Sequence, residues 1–288
     1  MITEAFQHIR GVGPVRMQQL QQLGVRNWHD AVACEQKIPP GIRQAVVGAC
    51  RQALEALETD DIAYFADTLH PLDRWRMLTC WLNQATYFDI ETTGLSHDDG
   101  ITIIVCWHRN QLHTFVEHEN LDDILDLLDD VRLLVSFNGS SFDVPRMIDG
   151  FHIPNLPCAH LDLRWPCFYR GLHGGLKQVT SKLGLERPMD LSSADGDLAV
   201  RLWNLWQAQQ DSNARNQLIR YCAADVLLLK PLAEHIAGVP MTSAADLWQH
   251  LPPASPSPLL PTGDQDARRR ILAAKFGSAS PRVLRTRR

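Results

Sequence analysis

Tyr87-Phe88-Asp89-Ile90-Glu91-Thr92-Thr93-Gly94 decides how the rest of the chain is read. In a strand, side chains alternate between faces, so Asp89 and Glu91 point the same way while Ile90 turns into the core. Two carboxylates that close together repel, and both do not ionise cheaply without a counter-charge. A divalent cation supplies one, and oxygen-only ligands with room for water favour Mg²⁺ or Mn²⁺ over zinc. Thr92-Thr93-Gly94 then ends the strand and lets backbone come close to a ligand. Alone, an Asp-x-Glu pattern is more often a solvated strand end, so the choice rests on the sequence around it.

Working outward, Ala85–Ile90, Ile101–Trp107 and Leu112–Val116 read as strands, the last two joined by a hairpin at Arg109-Asn110-Gln111. Leu121–Leu128 has helical apolar spacing, and Leu133–Phe137 reads as a fourth strand. A helix starts near Asp143, Ala159–Leu163 is a candidate fifth strand, and helices dominate from Leu176 to His235. Three meandering strands, then helix, strand, helix and strand, predict an α/β fold with a mixed sheet.

Two more acidic positions stand out in this layout. Ser136-Phe137-Asn138-Gly139 makes a turn after the fourth strand, and Asp143 opens the next helix, either as a simple cap or as a functional carboxylate. Tyr221 and Asp225 are four apart and share a helix face. Val226-Leu227-Leu228-Leu229 marks that helix as buried, where a lone Asp needs a partner.

With Asp89-x-Glu91, Asp143 and Tyr221-x₃-Asp225 in this order, the chain resembles a 3′→5′ exonuclease of the ribonuclease H-like DEDD superfamily. The tyrosine marks the DEDDy branch. Phe142-Asp143-Val144-Pro145, Tyr221-Cys222 and Gly175-Leu176-Lys177-Gln178-Val179 are similar to the proofreading domains of family B DNA polymerases. Tyr64-Phe65-Ala66, Arg74-Trp75-Arg76 and His160-Leu161-Asp162-Leu163 are similar to bacterial YprB-like proteins, which place a helix-hairpin-helix before such a domain. The resemblance covers residues 5 to 237 and implies a ribonuclease H-like mixed five-stranded sheet flanked by helices. It further implies catalysis by two Mg²⁺ or Mn²⁺ ions roughly 3.5–4 Å apart. Asp89 would bridge both, with Glu91 and Asp225 on one and Asp143 supporting the other. Tyr221 would orient the attacking water. Thr92, Thr93, Gly94 and Asn138 are expected beside the nucleic acid, Asn138 either touching substrate or holding its loop. Asp162 falls outside the carboxylate set.

Before this domain, Ile9-Arg10-Gly11-Val12-Gly13-Pro14 reads as a tight loop into a helix that stops at Gly24. Gly11 and Gly13 allow positive φ, and the amides at the helix start suit a phosphate, with Arg10 and Arg16 nearby. Gly11, Val12, Gly13, Arg10 and Arg16 are therefore expected to grip nucleic-acid backbone; a plain helical hairpin is the alternative. Ile38-Pro39-Pro40-Gly41-Ile42 reads as the start of a helix instead.

The expected organisation is a helical region over residues 1–80, a nuclease domain over 81–238, and a Pro-rich then Arg-rich disordered tail over 239–288. Of the net charge of −5, residues 251–288 carry +6 and residues 1–54 carry +3, leaving −14 between them. An acidic body with basic flanks suits an enzyme that holds cations and attracts a polyanion. Seven scattered cysteines without a CxxC pair argue against a disulfide framework or zinc site and for a reducing cytoplasm. Met1-Ile2-Thr3-Glu4 does not open a signal peptide, and the apolar run Ile101–Trp107 is too short to cross a bilayer, so no membrane partner is expected. The substrate expected is DNA, single-stranded or frayed. An exoribonuclease, or a non-catalytic binding protein on the same fold, are the competing readings.

Overall fold

The computed structural model describes residues 1–96, 99–192, 194 and 196–255. Five α-helices, with short 3-10 turns between them, precede the first strand: α1 (Pro14–Gln22), α2 (Trp28–Ala33), α3 (Pro40–Glu58), α4 (Ile62–Thr68) and α5 (Leu78–Trp81). Pro14 sits in the first turn of α1 and Gly24 lies beyond its end at φ 81°. Asn27 caps α2 by accepting the Asp30 N–H at 2.9 Å, while Asp30 accepts the Asn27 N–H at 3.3 Å. The proline pair starts α3, as expected.

The strands follow: β1 (Ala85–Thr92), β2 (Ile101–His108) and β3 (Gln111–Val116). Arg109 and Asn110 both take positive φ, 47° and 62°, the conformation that a two-residue hairpin between twisted strands requires. Next come α6 (Ile124–Asp129), β4 (Leu133–Ser136), α7 (Asp143–Phe151), β5 (Ala159–Asp162), α8 (Arg164–Tyr169), α9 (Leu176–Lys182), α10 (Gly196–Gln209), α11 (Ser212–Ala237) and α12 (Ala244–Trp248). The sheet order is β3-β2-β1-β4-β5. β1 pairs antiparallel with β2 and parallel with β4, β2 antiparallel with β3, and β4 parallel with β5. This is the mixed five-stranded, ribonuclease H-like sheet, with the expected helical region before it.

Strand alternation sorts the two faces. Phe88, Ile90, Ile104 and Cys106 pack with Ile124, Leu128 and Met147 on one side. Tyr87, Ile103, Val105 and Leu133 face α11 on the other, in a cluster that continues into Trp28, Phe65 and Trp81 of the N-terminal helices. Asp89 and Glu91, alternating with Ile90, therefore face α11. A register shift between Glu91 and Thr92 ends regular pairing with β2 just beyond them. α11 is capped by Asp211, which accepts the Asn213 N–H at 2.8 Å, and stopped by Gly238 at φ 79°. Its Tyr221–Leu229 segment is buried at every position, because sheet and helices enclose it.

Two sequence expectations need correction. The tail does not begin at 239. Glu234 is buried and accepts the Thr242 hydroxyl at 2.8 Å, Leu247 and Leu251 are buried, and the His250 ring lies 4.7 Å from that of Trp107. Residues 256–288, with the arginine-rich end, lie outside the described residues. Gly13 is not left-handed: it caps α1 at φ −90°, and Gly11 alone takes positive φ in that loop, 84°. No helix among the described residues is long and apolar enough to cross a membrane.

Candidate active site

Three elements bring the acidic side chains to one place. Asp89 and Glu91 come from β1, Asp143 from the first turn of α7, and Asp225 from the middle of α11. Asp143 is tied to β1 directly, its Oδ1 accepting the Ile90 N–H at 3.2 Å. One carboxylate oxygen each from Asp89 and Glu91 and the Cys222 sulfur lie within 4.8 Å of one another.

Their electrostatics are those of an excess of negative charge that Arg187 offsets only in part. Burial, then the charges of Asp143, Glu91 and Asp225, hold the Asp89 carboxyl well above its ordinary pKa. Burial, Asp225 and Asp143 do the same to Glu91. Burial pushes Asp143 up to about 7, with Asp162 adding to it and the hydrogen bond from Ile90 opposing. Asp225 is raised by burial although Arg187 opposes the shift. The donor set fits a divalent cation: oxygen ligands with more negative charge than the surroundings neutralise. Cys222 does not alter this preference. Burial and then Asp89 hold its thiol protonated, and its sulfur lies 3.6 Å from the Asp89 carbonyl oxygen as a neutral donor.

Arg187 escaped the sequence reading. Its side chain and that of Asp225 are 6% and 9% exposed and meet at 2.5 Å, an ion pair closed off from water. The same guanidinium lies 4.9 Å from the Tyr221 ring centre and donates to the Ala194 carbonyl at 3.0 Å. A single arginine in Glu186-Arg187-Pro188, 38 residues from its partner, carries no local signal. Tyr221 is buried beside the carboxylates as expected, and burial followed by the charge of Asp225 raises its phenol further.

The loop into α7 is held by Asp162. Its carboxylate accepts from the Asn138 N–H at 2.7 Å, the Ser140 N–H at 3.1 Å and the Arg164 N–H at 2.9 Å. Asn138, at φ 71°, holds its own loop: its Oδ1 accepts from the Ser141 hydroxyl at 2.9 Å and from the Arg164 guanidinium. Gly139 is required by space, since an added Cβ would fall on Ser136 Oγ, 2.7 Å from Ser136 Cβ and 3.3 Å from Asp143 Oδ2. Gly139→Ala is therefore expected to destabilise the protein by about 1–3 kcal/mol, as overpacking does. Urea unfolding followed by circular dichroism measures it, and an unchanged midpoint would contradict this packing.

The remaining expected contacts are only partly brought to the site. Thr92 is buried and spends its hydroxyl on the Gly94 carbonyl at 2.6 Å, and the Thr93 hydroxyl binds Asp99 at 3.3 Å. A Cβ on Gly94 would lie 2.6 Å from Asp99 Oδ2, so the close approach there is to Asp99. The Thr92 and Thr93 hydroxyls are thus engaged within their own loop. In the N-terminal loop Val12 is buried, while Arg10, Gly11, Gly13 and Arg16 are exposed, and Arg16 donates to the Gly11 carbonyl at 2.6 Å.

Among known proteins, the family model RNase_H_2, described as RNase_H superfamily, matches residues 86–237. No curated protein matches the chain. The solved structure of the family B DNA polymerase from the hyperthermophilic archaeon Pyrobaculum calidifontis is similar at 18% identity and a TM-score of 0.41, over 53% of this chain. The similarity covers 27% of that polymerase.

Proposed function

The chain belongs to the RNase_H superfamily, and on that basis we propose that it is a metal-dependent 3′→5′ exonuclease of the DEDDy type, acting on single-stranded or frayed DNA and releasing nucleoside 5′-monophosphates. The observation that supports this reading is the meeting of Asp89, Glu91, Asp143 and Asp225 beside Tyr221, with every carboxyl raised above its ordinary pKa. Two Mg²⁺ or Mn²⁺ ions, when bound, would activate the attacking water and stabilise the leaving 3′ oxygen.

The chain's own groups define the rest. Asp89, Glu91 and Asp225 would hold the cations, with Asp143 anchored for the same task by its bond to the Ile90 amide. Tyr221 stays neutral because burial and Asp225 disfavour its anion, so its hydroxyl orients water and does not remove a proton. Arg187 keeps Asp225 in place. Asp162 holds the Asn138–Ser140 backbone, and through it the start of α7. In the N-terminal hairpin, Arg10 and the exposed start of α1 receive backbone phosphates, an attraction that weakens with salt.

Incubation of the full chain with 3′- and 5′-labelled single strands of DNA and RNA, across several divalent ions, tests the reading. Stepwise release of mononucleotides from the 3′ end, dependent on Mg²⁺ or Mn²⁺ and faster on DNA, is expected. Release from the 5′ end, internal cutting, or no digestion of either polymer contradicts it; faster digestion of RNA assigns the exoribonuclease reading.

A further inference from the structure

α8 presents its aromatic side chains to solvent. Trp165, Phe168 and Tyr169, one face at i, i+3 and i+4, are 48%, 49% and 57% exposed, while Pro166 and Cys167 on the other side are buried. The rings support one another. Phe168 meets Tyr169 edge-on at 5.6 Å and Trp165 at 6.2 Å, and the His173 ring lies 4.7 Å from Phe168. Three large aromatics left in water on a single helical turn form a contiguous apolar patch, and such patches mark binding surfaces.

The charge around this patch differs from its surroundings. Within a middle region that carries −14, residues 163–185 contain Arg164, Arg170, Lys177 and Lys182 and no acidic residue. Among the described residues, none of these four cations forms an ion pair. They donate to neutral oxygens instead: Lys182 to the His173 carbonyl at 2.8 Å, Arg170 to the Ile236 carbonyl at 3.3 Å, Lys177 to the Ser192 carbonyl and Arg164 to Asn138. Their charge remains available to an anion. The Arg164 guanidinium also lies 5.7 Å from the Trp165 ring centre.

Two links join this surface to the carboxylates. Arg164 bonds Asn138 on the loop that leads to Asp143, and the charge of Lys177 reaches Asp225. We propose that Trp165, Phe168 and Tyr169, with Arg164 and Lys177, form a shelf on which the unpaired bases of a single-stranded nucleic acid stack while its phosphates meet the cations. Aromatic faces bind any base whose face is free, and cations along the path hold the backbone. A duplex keeps those faces stacked inside. The shelf deepens the nuclease reading by naming what selects a single strand, and it rests on that reading only for the strand's onward path to the carboxylates.

Fluorescence anisotropy in EDTA, with the full chain and labelled 15-nucleotide single strands of DNA and RNA and the matching duplex, tests the shelf without any cleavage. The W165A/F168A/Y169A triple variant is expected to bind single strands at least about tenfold more weakly than wild type, because each stacked base contributes measurably to affinity. An aromatic-conserving W165F/Y169F variant should retain binding to within about threefold, and duplex binding should change little. Unaltered single-strand affinity in the triple variant overturns the shelf. So does an equal loss on single strand and duplex, or a loss of self-association with DNA binding intact. Failure of the wild type to digest any polymer, with binding lost in the triple variant, leaves the shelf standing and removes only the nuclease reading.

Discussion

Asp89→Asn is expected to lower metal-dependent digestion by at least about a thousandfold and, in the same protein freed of metal, to raise stability. The first effect follows because bound metal ions supply several kcal/mol of transition-state stabilisation, and about 1.4 kcal/mol is a factor of ten. The second follows from the pKa directions. A carboxyl whose folded pKa is raised binds its proton more tightly in the folded state, so its contribution to stability falls as pH rises from the unfolded value of about 4 through the folded one. For Asp143 that window closes at about 7. Removing one of four mutually repelling carboxyls shrinks the penalty, so the advantage of the Asn variant over wild type should grow between about pH 4 and 7. Comparison with wild type matters here because His160 has the opposite sign. Burial pushes its pKa down to about 4, and that contribution is lost as pH falls. Urea unfolding of both proteins in EDTA across this range is the measurement, and an Asn variant less stable than wild type at pH 7 would contradict the shared-repulsion account.

Arg187→Met should have the reverse consequence for stability. The Arg187–Asp225 pair is closed off from water, so removing one partner leaves a buried charge uncompensated, a loss of about 3–5 kcal/mol. Two rescues distinguish this from lost packing. Asp225→Asn in the Arg187→Met background removes the orphaned charge, and Mn²⁺ supplies a substitute for the guanidinium. Both should recover a large part of the loss in urea unfolding. Equal instability of the single and double variants, with and without Mn²⁺, would show that Arg187 acts through its packing on Tyr221 and not through charge.

The fold was legible because its signals are local. The β1 alternation, the gap at Arg109-Asn110 and the caps at Asn27 and Gly24 each depend on residues within a few positions. Asp89, Glu91, Asp143, Tyr221 and Asp225 were legible from spacing on strand and helix, and their resemblance to a family supplied the order. What stayed hidden depends on distant partners. Arg187 acquires meaning only from Asp225, Asp162 only from the backbone of Asn138 and Ser140, and Gly139 only from Ser136. The partners of the Thr92 and Thr93 hydroxyls, Gly94 and Asp99, were hidden for a related reason: the loop that brings them together is set by its own fold. The early tail boundary failed because Glu234 on α11 and Thr242 beyond it meet in space, which the proline content downstream does not reveal.

Whether the carboxylates at the α11 face of the sheet bind divalent metal is tested most directly by calorimetric titration of Mn²⁺ into the wild-type chain and into an Asp89→Asn/Asp225→Asn variant. Saturable binding by the wild type with protons released near pH 6.5, and none at matching concentrations in the variant, is the predicted result. Equal binding by the two proteins would place the cation elsewhere and contradict the account.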